Sequence, residues 1–142
     1  MAEKKSSKSS AQKIIHVSGK RKRAIARITL KPGKGIVKIN RLLLDVYQPE
    51  VSRMRIQEPL FLAGEVAKKI DINIKVMGGG FNAQADACRT GIGKALAQYN
   101  PSLKQTFLEY DRDLLVSDTR RQCEPSKPND SKPRSARQKS YR

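Results

Sequence analysis

The sequence predicts one small domain in which strands mix with helices, carried between two polycationic arms. Charge gives the outline. The 142 residues hold 30 Lys and Arg against 13 Asp and Glu, a net +17, and the excess is uneven: +12 over residues 1–41, zero over 42–117 and +5 over 118–142. Carboxylates that neutralise lysines are useful in a folded body and idle in a solvated arm, so the neutral middle marks the body. Hydrophobic periodicity gives the content. Residues 70–77 alternate apolar and polar with period two, and residues 81–100 carry Ala83, Ala87, Ile92, Ala95 and Leu96 at helical spacing. The division that follows is a disordered basic arm over 1–13, a domain over 14–117 and an extended basic tail over 118–142. The body, about 100 residues, suffices for one modest core and not for two.

Lys, Ser and Ala in low-complexity order fill residues 1–13 and cannot build a core. Ile14 to Val17 is a short β-type run, followed by Gly19 and the cluster Lys20-Arg21-Lys22-Arg23. Ala24 to Leu30 is a second run, ended by the turn Lys31-Pro32-Gly33-Lys34-Gly35, and Ile36 to Asn40 resumes strand character with Lys38 on its polar side. Residues 14–40 therefore predict an antiparallel meander with a basic exposed face. Residues 49–69 predict a helix interrupted at Pro59 and Gly64, with Met54, Leu60, Phe61 and Ala63 in the core. Ile70 to Met77 is a half-buried strand that runs into Gly78-Gly79-Gly80 and the long helix, which Pro101 closes. Ser102, as N-cap, starts a short helix to Leu108, and Leu114-Leu115-Val116 makes a last apolar contact before the tail.

The stretch from Ser131 to Arg142 holds five basic residues and no acid. It is too poor in apolar area to order alone, and its Lys and Arg with one terminal Tyr suit a polyanion with stackable bases, namely nucleic acid. No apolar run of signal-peptide or membrane-spanning length occurs, so a soluble intracellular protein with no membrane partner is expected. Cys88 and Cys123 fit no metal-ligand spacing; reduced thiols, no metal and no cofactor are expected.

Three glycines between a strand and a helix let an anion approach free N–H groups, and serve equally for a sharp turn. Gly78, Gly80 and Ala83 fit the dinucleotide form G-x-G-x-x-A, but a second helix follows where a strand with an acidic ribose ligand is required. Gly93-Lys94 resembles the end of a P-loop, yet Cys88 stands where that motif needs Gly, and Ala95 where it needs Ser or Thr. His16 is the only histidine and Cys88 lies inside a helix, which makes a weak nucleophile pair. Asp111 and Asp113 read as charge pairing or capping. No enzyme is expected. Lys20 to Arg23 leads straight into a basic strand, which favours a phosphate clamp over a localisation signal.

The run from Gly78 to Leu96 resembles the signature of a known family, the ninth protein of the small ribosomal subunit: three glycines, a Gln after a small residue, then small residues ending in Gly, Lys, Ala and Leu. Gly19-Lys20-Arg21-Lys22 before Ala24 and Ala26, the turn Lys31-Pro32-Gly33 and Glu58-Pro59-Leu60 are similar to it too, so the resemblance covers nearly all of Gly19 to Arg142. Tyr110-Asp111-Arg112 and the ending Gln138-Lys139-Ser140-Tyr141-Arg142 look like the archaeal and eukaryotic branch, and the short link between Tyr99 and Leu108 like its archaeal side. Arg23, where a small or hydroxyl residue is usual, and the polar stretch Pro125 to Asp130 depart from the pattern.

The resemblance implies a two-layer α+β domain, about four strands with helices on one face and a left-handed βαβ crossover. It implies a place in the head of the small subunit of the cytoplasmic ribosome, on small-subunit ribosomal RNA and beside neighbouring head proteins. With the basic meander and the glycine turn, it implies rRNA contact at Lys20, Arg21, Lys22, Arg23, Lys31, Lys34, Lys38, Gly78, Gly79, Gly80, Gln84, Arg89, Lys94, Arg120 and Arg121. For the end of the tail, it implies contact with the anticodon stem-loop of peptidyl-site tRNA at Arg137, Lys139, Ser140, Tyr141 and Arg142.

Overall fold

The computed structural model describes residues 14–116 and 124–135. β1 (Ile15–Arg21) and β2 (Ala24–Pro32) form a hairpin, and β3 (Val37–Ile39) and β4 (Leu42–Leu43) form a second, smaller one. α1 (Glu50–Ala63), β5 (Ile70–Met77), α2 (Phe81–Tyr99) and α3 (Leu103–Tyr110) follow in order. The five strands make one sheet in the order β1-β2-β5-β3-β4. All pairs are antiparallel except β3 with β5, which run parallel because the chain crosses between them through α1. The architecture is α+β with one more strand than expected, the two-residue edge strand β4.

The expected three-stranded meander is corrected here. β2 gives its second edge to β5, with Ile25 opposite Met77 and Ile28 opposite Ile74, so β3 joins the far side of β5 instead. The alternation in β2 and β5 explains the choice: Ala26, Ile28 and Leu30 share a buried face with Ile72, Ile74 and Val76, and only this neighbouring continues one apolar surface.

That surface is covered by α2. Its stripe of Ala85, Ala87, Cys88, Gly91, Ile92, Ala95 and Leu96 is buried, and the small residues allow unusually close approach. A Cβ placed on Gly19 of β1 would lie 2.0 Å from the Ala87 carbonyl oxygen, and one on Gly91 would lie 1.9 Å from Ile28 Cδ1, so strand and helix meet nearly backbone to backbone.

α1 departs from expectation in two ways. Pro59 does not interrupt it but is buried within it, while Gly64, at φ 54°, ends it; residues Gly64–Lys69 form a 3-10 turn. Its buried positions are Ser52, Ile56, Pro59 and Ala63, whereas Met54 and Phe61 are 57% and 77% exposed. The inward phase is set by Ile56, three residues before Pro59, which leaves Met54 and Phe61 outward. Ser102 precedes α3 as expected but does not cap it: its own backbone is helical and its hydroxyl bonds Asn100 Oδ1 at 2.7 Å. Leu114 is buried and closes the core.

Candidate nucleic-acid interface

With helices on one side only, the sheet leaves its other face open. Period-two alternation puts His16, Ser18 and Lys20 of β1, Ile25, Arg27, Thr29 and Lys31 of β2, Asn73, Lys75 and Met77 of β5, and Lys38 of β3 on that face. Thr29 is half-buried and the others are exposed. Of the expected residues, Lys20, Lys31 and Lys38 thus share one surface. The register sets Arg27 directly opposite Lys75, and neither belonged to the expected set. The signal for both was present: Arg27 falls in phase with Lys31, and Lys75 with Asn73, on the polar side of each strand.

The carboxylate at the margin of this face is already committed. Asp71 Oδ1 accepts the backbone N–H of Lys34 at 2.8 Å and of Ile36 at 3.0 Å, which holds the Asp71 carboxyl below its usual range. It folds the Gly33–Gly35 loop and leaves Lys34 exposed at its tip. His16 Nδ1 lies 3.1 Å from Thr29 Oγ1 across the β1–β2 pair.

The cluster Lys20 to Arg23 is divided by the hairpin it closes. Lys20 faces the open side; Lys22, at φ 52°, and Arg23 form the turn and are exposed; Arg21 turns to the helical side, 3.6 Å from Asp86. Beside this turn lie the three glycines. Gly78 and Gly79 have φ of 77° and 66°, and a Cβ on Gly78 would sit 2.4 Å from the Arg23 carbonyl oxygen, so the strand-to-helix turn requires both. Gly80 is extended and a Cβ there would meet nothing within 4 Å. Gln84 Nε2 donates to the Gly78 carbonyl at 3.1 Å and holds the turn against the first turn of α2.

Arg89 is placed elsewhere. Its guanidinium, 15% exposed, donates to both Glu58 oxygens and, at 2.7 Å, to Asp111 Oδ2, while Tyr110 Oη donates to Glu58 at 2.5 Å. Burial raises the Glu58 pKa, but the hydrogen bonds from Arg89 and Tyr110 outweigh it and hold the carboxyl below its usual range. This network ties α1, α2 and the end of α3 together and already uses the Arg89 guanidinium inside the fold. Asp111 also accepts the Asp113 N–H at 2.9 Å, the pairing and capping expected of that turn. Lys94 lies on α2 in the helical layer, partly exposed. Arg120, Arg121, Arg137, Lys139, Ser140, Tyr141 and Arg142 lie outside the described residues, as does Cys123.

Between α1, α2, α3 and the end of β1 runs an open groove of about 760 Å³, with Met54 and Phe61 on its rim. Arg21 and Arg55 meet Asp86 in it, Arg89 meets Glu58 and Asp111, and Lys20 at the end of β1 also borders it. Cys88 is buried in α2 against the sheet, its thiol pushed up to about 12 by desolvation, while His16 is on the open face across the sheet. Among the described residues, Arg27, Lys38 and Lys75 of the open sheet face form no ion pair, the arrangement of a polyanion-binding module.

The family model described as Ribosomal protein S9/S16 matches residues 19–142. The small ribosomal subunit protein uS9 of Methanococcus maripaludis strain C7 is 49% identical over 134 residues, covering 92% of this chain and 99% of that protein. The protein of the same description from Methanococcus vannielii is 48% identical over an equal span. The chain belongs to the ribosomal protein S9/S16 family, and these relatives are archaeal, as the tail and the short helix link indicated.

Proposed function

We propose that this protein is a non-enzymatic constituent of the small ribosomal subunit that binds ribosomal RNA through its open sheet face and the turns beside it. In the same reading it sits in the head of the subunit of the cytoplasmic ribosome, touches neighbouring head proteins, and carries its C-terminal tail to the anticodon stem-loop of peptidyl-site tRNA. The observation that carries the reading is the open face, where exposed Lys20, Arg27, Lys31, Lys38 and Lys75 gather around one carboxylate that the backbone already occupies. Membership in a ribosomal family supports the choice of RNA. Duplex RNA offers little sequence readout in its deep groove, so phosphates and shape are the features such a face can grip.

Lys20, Lys22, Arg23, Lys31, Lys34 and Lys38 are the rRNA contacts of this reading, with Gly78 to Gly80 admitting a phosphate near the start of α2. Arg120 and Arg121 continue the contact into the tail. Reach is adequate, since the residues beyond Val116 span up to about 80 Å when extended.

Crosslinking in cells, with sequencing of the attached RNA and mapping of the attached peptides, tests both halves. Small-subunit rRNA on peptides from residues 20–38, and tRNA anticodon stems on peptides ending at Arg142, are expected. Recovery of mostly DNA would replace this reading with a general condensing role. Deleting Lys139 to Arg142 should weaken tRNA retention in the peptidyl site while subunits still assemble; unchanged tRNA affinity removes the tail from the proposal.

A further inference from the structure

The basic residues of the open face are not scattered over it. Lys20 on β1 faces Ile25 on β2, two residues from Arg27; Arg27 faces Lys75 on β5; and Lys38 on β3 faces Asn73, two residues from Lys75. The four cations therefore descend diagonally across four successive strands, each step being one directly opposed or one diagonal neighbour, about 5–8 Å. None of the four forms an ion pair with a described residue.

Folding gains nothing from this row. Like charges directly opposed across a strand pair destabilise it, and here Arg27 and Lys75 are opposed, while the carboxylate of the face, Asp71, stands opposite Lys31 instead. Among the described residues the strands put no Phe, Tyr or Trp on this face; its single aromatic ring, His16, lies opposite Thr29 and within 3.1 Å of its hydroxyl, and the apolar members, Ile25 and Met77, lie at one end beside Lys20. Four cations in a line beside one imidazole suit a continuous chain of phosphates better than a row of stacked bases.

Resting on the reading of this face as an RNA interface, we propose that Lys20, Arg27, Lys75 and Lys38 form a track for one sugar-phosphate strand of an RNA duplex, which crosses the sheet diagonally and is gripped without regard to its sequence. The central pair, Arg27 and Lys75, is the part of the track that the sequence did not single out.

The test is binding of the full-length protein to two RNA duplexes of unrelated sequence, and to an rRNA fragment from the small-subunit head, over a range of salt. Arg27→Gln with Lys75→Gln is compared with a control of equal charge on the helical side, Lys104→Gln with Arg112→Gln. The track variant should lose roughly tenfold or more in affinity at low salt on all three RNAs, and the slope of log affinity against log salt should flatten by about 2. Its melting temperature should hold or rise by up to a few degrees as the opposed charges are removed. Equal losses in track variant and control, or a loss confined to one duplex sequence, overturn the track while leaving RNA binding standing. Failure of the unaltered protein to bind any of the RNAs overturns the underlying reading itself.

Discussion

Gly78 and Gly79 are held to glycine by positive φ and by the closeness of Arg23 and Ala24, whereas Gly80 is held by nothing in the fold. Gly79→Ala should therefore cost about 1–3 kcal/mol, seen as a lower melting temperature, while Gly80→Ala should melt like the parent. If Gly80 is there for a phosphate, Gly80→Leu should still fold yet bind RNA less tightly; a fold lost at Gly80 would show that the turn needs it after all. Arg89 gives a second contrast. The low pKa of Glu58 means that its share of stability is fully present above the ordinary value of 4.5 and is lost as pH falls through the lower folded value. Melting followed from pH 7 down to pH 3 should show Glu58→Gln less stable at neutral pH and converging on the parent at the acid end. Arg89→Gln should cost about 1.5–3 kcal/mol at pH 7, because two carboxylates lose a charged donor. Sequence alone could show that Arg89 is basic; that Glu58 and Asp111 would meet it depends on how two distant helices pack.

Among the elements, those with a strict period were legible almost to the residue. β5 occupies the predicted Ile70–Met77, and α2 ends one residue short of Asn100, before Pro101. β3 was recognisable as a strand but not assignable to a neighbour, since three residues carry too little pattern to choose between β2 and β5. What fixes it is Asn40, the residue after its end. At φ 46°, Asn40 starts the tight turn into β4, and its side chain continues the ladder that β3 has left, donating to the Val76 carbonyl at 3.0 Å and accepting the Val76 N–H at 2.9 Å. Asn40→Ala should strand both backbone groups and strain the turn, costing about 1–3 kcal/mol, with faster amide exchange concentrated at Val76. Uniform exchange across the sheet would show that water replaces the Asn40 amide without loss. α1 was misread in phase for a related reason: a helix with apolar residues on both sides has no single inward face in its sequence, and Met54 and Phe61 look like core until Ile56 and Pro59 are seen to fill it.

At the scale of the molecule, the charge map and the structure agree on a division of labour. On the helical side Arg21, Arg55 and Arg89 are paired with carboxylates, whereas Arg27, Lys38 and Lys75 of the sheet face form no ion pair with a described residue. Composition could announce the surplus but not its side: Arg21 meets Asp86 on the helical side, while Arg27, six residues on, stands on the open face. In the tail the described residues include one bidentate pair, Arg134 with Glu124 at 2.9 and 2.5 Å, exposed enough to be worth little by itself. The packing of glycines has a mechanical meaning. β1 touches α2 through Gly19 and Gly91, and α2 touches the last turn through Gly93, where a Cβ would come within 2.7 Å of the Leu114 carbonyl oxygen. Two joints without a side chain between them make a stiff bracket from the strand that carries Lys20 to the root of the tail. Whatever clamps the sheet in place therefore also fixes the position of Leu114, where the described core ends.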